Sequence, residues 1–205
     1  MARRAGETSY KDTAFGIIPR SQLIPLELEG IQRAWDFVLR LSQTTEIAIT
    51  PELLKKLHEI GFKWIFPDLG GRFRKVDVQV SKHHPPKFIK VPERMADYCA
   101  DLAERIRHLP TVQDPKFLEQ LIELLAWAHH SFLWIHPFQD YNGRIGRLLT
   151  NIILLNLDLP PVELHVETPM RRREYVSALQ RADEGRMNTL QNLFQEALQE
   201  AAKVI

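Results

Sequence analysis

Apolar residues recur every three to four positions along most of this chain, a period that predicts helices almost throughout. Residues 25–42 read as a helix with Leu28, Ile31, Trp35, Val38 and Leu41 on its apolar side. Thr50 followed by Pro51 gives a helix start, an N-cap and then proline at the first helical position, for a segment running to about Ile60. Residues 62–71 hold Pro67 and two glycines and read as a loop. Lys75 to Val80 then alternates polar and apolar as a short strand does, until the tetrad HHPP breaks it. Pro92 opens a helix ending near Leu109. Residues 115–134 form the most apolar helix, with Phe117, Leu121, Leu124, Leu125 and Phe132 at helical spacing, and Pro137 stops it just after His136. Residues 143–157 are helical again, with Asn142 placed as N-cap, and 169–183 and 187–203 are two further amphipathic segments. The first 24 residues are polar and mixed and are expected to form a flexible arm. The fold class is therefore all-α, in one unit spanning 25–205, with a short hairpin as its β structure.

Composition changes this picture little. A chain of 205 residues suits one sizeable core, and no internal repeat, linker or low-complexity tract divides it. With 27 Lys and Arg against 26 Asp and Glu, the net charge of +1 provides no global field for nucleic acid or an anionic membrane. The single cysteine, Cys99, cannot form an internal disulfide and has no metal-ligand spacing around it, so a reducing cytoplasm is the expected location. Arg3 and Arg4 are followed by no apolar stretch, so no export signal is read, and no segment approaches the length of a membrane span.

The chemistry concentrates in the run HPFQDYNGRIGR, His136 to Arg147. Placed between two helices, it delivers unpaired backbone N–H groups and the positive end of a helix dipole to one spot, where a phosphate is stabilised. Arg144 and Arg147, three apart, share a helix face and can bind phosphate oxygens bidentately. Asp140 is a carboxylate of the kind that, with substrate phosphates, holds magnesium. His136 is the one group of the run that titrates near neutrality and is the natural general base. The competing readings are plainer: a packed histidine, a solvated arginine face, and Asp140 and Asn142 as turn or cap residues. His129 reads as structural within the apolar helix. His83 and His84, before two prolines, mark a surface turn, and no metal is assigned to them.

This run resembles the signature of the Fic family, HPFx(D/E)GNGRxxR, at every specified position but one: Tyr141 stands where the family has glycine. His129, Phe132 and Ile135 match the family's approach HxxFxxIHPF, and Leu148, Leu149 and Asn151 resemble the continuation of the core helix. Residues 74–91 resemble the flap, a short hairpin beside the active site. The likeness covers about residue 25 to the C-terminus. It implies the Fic helical bundle and transfer of AMP from ATP to a Ser, Thr or Tyr hydroxyl of a target protein. It further implies His136 as base, Asp140 as the magnesium ligand, and Asn142 and the loop amides as stabilisers of charge on the α-phosphate. Asn142, Gly143, Arg144 and Arg147, with Tyr141 beside them, would bind the nucleotide, so ATP and Mg2+ are the expected cofactors. The flap would pin the target by strand addition. Neither nucleic acid nor membrane is an expected partner, and a homodimer is compatible with the reading.

Two features qualify that reading. A glycine at position 141 tolerates positive φ and close approach to phosphate, whereas an aromatic residue pays for both. Tyr141 therefore leaves three outcomes open: retained adenylyl transfer, a weakened nucleotide-binding module, or a different phosphate-containing donor. The kinase-like branch of the family departs at the second glycine of the signature, and Gly143 is retained here. The second feature is PLELEG, residues 25–30, which partly matches the family's inhibitory pattern (S/T)xxxE(G/N), with Pro25 in place of Ser or Thr. On that match the inhibitory segment is 25–42 and Glu29 pairs with Arg147; the alternative is a surface acid on the first helix.

Overall fold

The computed structural model describes residues 10–43 and 46–203. Its central element is the apolar helix anticipated from the sequence, α4 (Phe117–Ile135), which buries residues on every side, among them Leu121, Leu125, Ala128, His129 and Phe132. A helix apolar all round belongs inside a bundle. Around α4 pack α3 (Val91–Arg107), α5 (Asn142–Asn156), α6 (Pro169–Asp183) and α7 (Asn188–Ala201). The bundle is completed by α1 (Arg20–Ser42) and α2 (Pro51–Phe62), which pair with each other and lean on α5. One continuous core runs from Leu23 to Ala197. No helix among the described residues is long and apolar enough to cross a membrane.

Local signals explain most helix ends. Thr50 accepts the Leu53 N–H at 3.1 Å and Pro51 occupies the first turn of α2, while Thr168 and Pro169 repeat the arrangement for α6, with Thr168 accepting from Arg171 at 3.2 Å. Between α1 and α2 the backbones nearly touch: a Cβ on Gly30 would stand 2.0 Å from the Gly61 carbonyl oxygen. Only glycine permits that approach.

Three expectations need correction. Within the segment expected to be a flexible arm, residues 10–19 form an antiparallel hairpin, β1 (Tyr10–Thr13) and β2 (Gly16–Pro19), and residues 20–24 are the first turns of α1; residues 1–9 lie outside the described residues. The turn is closed by the Thr13 hydroxyl donating to Gly16 O at 2.8 Å, with Gly16 at φ +83, and Ala14 N–H docks on Ile65 O at 2.9 Å. Secondly, α1 starts at Arg20 and carries Pro25 inside it, so a proline near a helix start did not mark the start itself. Thirdly, Lys75–Val80 forms no regular strand. Residues 74–91 make a single bridge, Val80 to His83, with Ser81 at φ 56, and then a short 3-10 turn at Phe88–Lys90. Pro85 and Pro86 have no N–H to extend a ladder.

Candidate functional site

The site is built where α4 ends and α5 begins. His136 caps α4 in the left-handed conformation (φ 50, ψ 60), a region that costs an ordinary residue about 1–2 kcal/mol. Arg74, almost wholly buried, holds that turn in place. Its Nε donates to His136 O at 2.8 Å, its Nη2 to Ile135 O at 3.4 Å, and its backbone N–H to Pro137 O at 2.9 Å. Further guanidinium bonds to Val76 O, at 3.0 Å, and Pro86 O fasten residues 74–91 to the same turn. His83 adds a second tie, its Nε2 lying 2.8 Å from Trp134 O.

The His136 ring is thereby set. Its Nδ1 lies 3.2 Å from the Leu133 carbonyl, which can only accept, so Nδ1 carries the proton and the Nε2 lone pair is left for a substrate. Burial lowers its pKa below the ordinary histidine value, and the Arg74 and His83 charges act in the same direction. The imidazole is therefore the free base at neutral pH.

The next residues lock the loop. Phe138 is fully buried and stacks on His58 with centroids 4.0 Å apart. Asn142 is the first residue of α5 and not its cap. Its side chain folds back onto Phe138, accepting from Phe138 N at 2.9 Å and donating to Phe138 O at 2.8 Å. Its amide group is thus a staple for the loop, and what it offers an anion is a backbone N–H in the first turn, beside that of Gly143. Asp140 accepts the Tyr141 N–H on Oδ1 at 2.8 Å; its Oδ2 lies 3.6 Å from Lys11 Nζ, and its side chain is half exposed.

His58, on α2, was not singled out from the sequence. Gly71 N–H donates to its Nδ1 at 3.0 Å, so its proton sits on Nε2, which faces Asp140 O at 3.3 Å. Burial pushes its pKa down to about 4, and burial likewise pushes that of His129 down to about 3. Both rings are neutral in the folded state, while the unfolded chain binds protons from about pH 6.5. Stability is consequently complete above that pH and is lost as pH falls toward the folded values, by about 2 kcal/mol for each ring at pH 5. Denaturant midpoints are expected to fall clearly between pH 7 and pH 5; equal midpoints would contradict the burial of these rings.

Tyr141 does adopt positive φ, at +64, in the N-cap position of α5. Its ring turns away from the start of α5 and stacks on Phe62 of α2, centroids 3.9 Å apart, with Phe66 at 5.7 Å. That aromatic packing offsets the backbone cost. Its hydroxyl donates to Glu27 at 2.8 Å.

Glu27 is the residue that sequence reasoning missed. It is fully buried on α1, and its carboxylate accepts from Arg20 Nη1 at 2.5 Å, Tyr141 Oη at 2.8 Å and Arg144 Nη2 at 2.5 Å. Glu29 does not reach Arg147. Two residues along a helix is about 200° of rotation, so Glu29 faces outward and bonds Arg33 at 2.6 Å. Arg144 is held by Glu27 through one nitrogen, while its other, Nη1, is buried with no partner among the described residues. Arg147 lies on the other side, by Gly143 and the Tyr175 hydroxyl.

A cavity of about 190 Å³ opens beside His136. Gly143 lines one side, Val80 and Ser81 another, and Leu133, Tyr175, Val176 and Leu179 make it mainly apolar; His130 and Asp183, paired at 2.9 Å, are part of its wall. A mainly apolar cleft with a few polar groups is the usual form of a nucleoside site.

The profile of the Fic/DOC family matches residues 48–154, which contain the loop just described. The chain belongs to the Fic/DOC family. Among similar proteins is "Protein adenylyltransferase Fic" of Nematostella vectensis, 31% identical over 175 residues, covering 85% of this chain and 38% of that protein. The chain thus spans well under half the length of that curated relative. The solved structure of Fic-1 (residues 134–508) from C. elegans is 26% identical with a TM-score of 0.66, covering 87% of this chain and 51% of that one. BepC from Bartonella tribocorum, solved with bound AMPPNP, is 15% identical with a TM-score of 0.68 over 95% of this chain and 94% of its own; that likeness concerns the Fic fold alone.

Proposed function

We propose that this Fic domain is a protein adenylyltransferase, moving AMP from ATP to a Ser, Thr or Tyr hydroxyl of a target protein. The observation that carries this reading is that the free Nε2 face of His136 and the first turn of α5 border one nucleoside-sized cavity. In the reaction, the target oxygen attacks the α-phosphorus, the bond to the β-phosphate breaks, and pyrophosphate leaves. His136 Nε2 takes the hydroxyl proton. The first-turn N–H groups stabilise the charge gathering on the α-phosphate, and Arg144 and Arg147 hold the phosphates beyond it. The orphaned Arg144 Nη1 fits this role, since a buried guanidinium N–H with no acceptor is costly until an anion supplies one. Relatives named as protein adenylyltransferases agree with the assignment.

Magnesium fits the donor set. Asp140 is a half-exposed carboxylate with one oxygen fixed by Tyr141 N–H, and one carboxylate plus substrate phosphates is a usual arrangement for that ion. Asp140 would hold it, and the bound ion would supply neutralisation of phosphate charge. Residues 74–91 would present the target: the single bridge at Val80 and His83 leaves neighbouring backbone free to pair with an added strand. Tyr141, packed on α2 and outside the cavity lining, does not crowd the nucleoside site, which favours ATP over the reading of a disabled module.

The regulatory role expected of Glu29 falls instead to Glu27. Its carboxylate occupies Arg144, and so competes with a phosphate for that guanidinium. The cytoplasm is the proposed location, on the single buried thiol Cys99.

The decisive experiment offers the protein and a cell lysate ATP labelled at either the α- or the γ-phosphate. Label from the α position alone is expected on protein. Label from the γ position alone would make the reaction a phosphoryl transfer and overturn the proposal.

A further inference from the structure

The side chain of His129 is fully buried in α4, and the mechanism above makes no use of it. Its two nitrogens join two other helices. Nδ1 lies 3.3 Å from Thr150 Oγ1 on α5, and Nε2 lies 2.7 Å from the Tyr175 hydroxyl on α6. Gly146 makes room for the ring: a Cβ there would stand 3.3 Å from His129 Cε1.

The proton positions in this chain are determined. Thr150 donates its one hydroxyl proton to the Gly146 carbonyl at 3.0 Å, so toward His129 it can only accept, and Nδ1 must carry the hydrogen. A neutral ring protonated at Nδ1 has its lone pair on Nε2, so the Tyr175 hydroxyl donates to it. The Tyr175 oxygen is left with its lone pairs as acceptors. Burial pushes this phenol up to about 12, and the adjacent Arg147 guanidinium acts in the opposite direction. The one donor facing those lone pairs from the signature helix is Arg147.

We infer that Gly146, Thr150, His129 and Tyr175 form a buried relay of fixed polarity whose purpose is to orient the guanidinium of Arg147 toward the phosphates of the nucleotide. This rests on the reading of Arg147 as a phosphate ligand. An arginine on a helix surface has many rotamers and loses entropy when it binds. A single acceptor held from three helices removes most of that freedom beforehand. Neutrality of His129 is part of the device, because a charged imidazolium would turn Nε2 into a donor and release the tyrosine. These are positioning residues; none of them is placed on the reacting atoms.

The test separates orientation of Arg147 from general support of the fold. Affinities for ATP and for AMP, which lacks the outer phosphates, are measured by calorimetry in the full chain carrying Glu27→Ala, so that Arg144 is open in every sample. Arg147→Ala is expected to reduce the preference for ATP over AMP; an unchanged preference would remove the phosphate role of Arg147 and the inference with it. Tyr175→Phe keeps the ring and is expected to weaken ATP about tenfold, the scale of one charge-assisted hydrogen bond, with AMP changed less than twofold. Thr150→Val, which removes the acceptor for His129 Nδ1, should move ATP in the same direction with unaltered AMP. If Arg147→Ala lowers the ATP preference but Tyr175→Phe leaves it intact, or weakens both nucleotides equally, the relay has no orienting role and the inference is overturned.

Discussion

Replacing His136 by alanine is expected to lower AMP transfer by about 10²- to 10⁴-fold, the range attributable to a positioned general base. The loss should lie in kcat. The nucleotide's contacts are assigned to the first turn of α5 and to the arginines, so ATP affinity should change less than twofold. The backbone should tolerate the change, because the left-handed turn at position 136 is held from outside the residue, by the Arg74 bonds to His136 O and Ile135 O. A melting temperature near that of the parent is the control. The pH profile adds a second readout. With burial holding His136 below its ordinary value, the rate should be flat from neutrality upward and fall on the acid side as the ring takes a proton. Full transfer of the α-label by His136→Ala would exclude the residue as base.

Removing the Glu27 carboxylate should have two effects of opposite sign. Glu27 is buried with Arg20, Tyr141 and Arg144 as donors, so Glu27→Ala leaves two guanidiniums and a phenol without their acceptor, at a cost of about 3–5 kcal/mol in stability. The same change frees Arg144. If the carboxylate competes with a phosphate, ATP affinity should rise about tenfold to a hundredfold, the worth of one hydrogen bond between charged groups. ATP should also restore part of the lost stability, since a ligand that binds only the folded chain raises its melting temperature. Glu29→Ala, on the outer face with Arg33, is the matched comparison and should leave ATP affinity as it was. Equal ATP affinity in the Glu27→Ala chain and its parent would dismiss the inhibitory role.

Tyr141 links these results. In the family it stands where glycine is usual, and the physical concern was a strained backbone and a crowded phosphate site. The backbone does sit at positive φ, but the ring is spent on Phe62 and the hydroxyl on Glu27. The residue thereby ties the loop to α1 and α2, the same helices that carry the inhibitory carboxylate and His58.

Much of this protein was determined by its sequence. The period of apolar residues placed the bundle helices, and Thr50–Pro51 and the prolines near 92, 115 and 169 marked helix starts, because capping and ring constraints act within a few residues of chain. The signature run fixed the family and put His136, Asp140, Arg144 and Arg147 at one helix start for the same reason. Tertiary structure alone decided which side chains meet that run. Glu27 and Glu29 differ only by helical phase relative to a distant surface, and which of them faced Arg144 depended on how α1 docks on α2 through Gly30 and Gly61. Arg74 looks like any loop arginine until four backbone carbonyls converge on it, and His58 and His129 look like ordinary helix residues until burial removes their water. Those roles rest on contacts between residues dozens of positions apart, and no local pattern of polarity or propensity carries them.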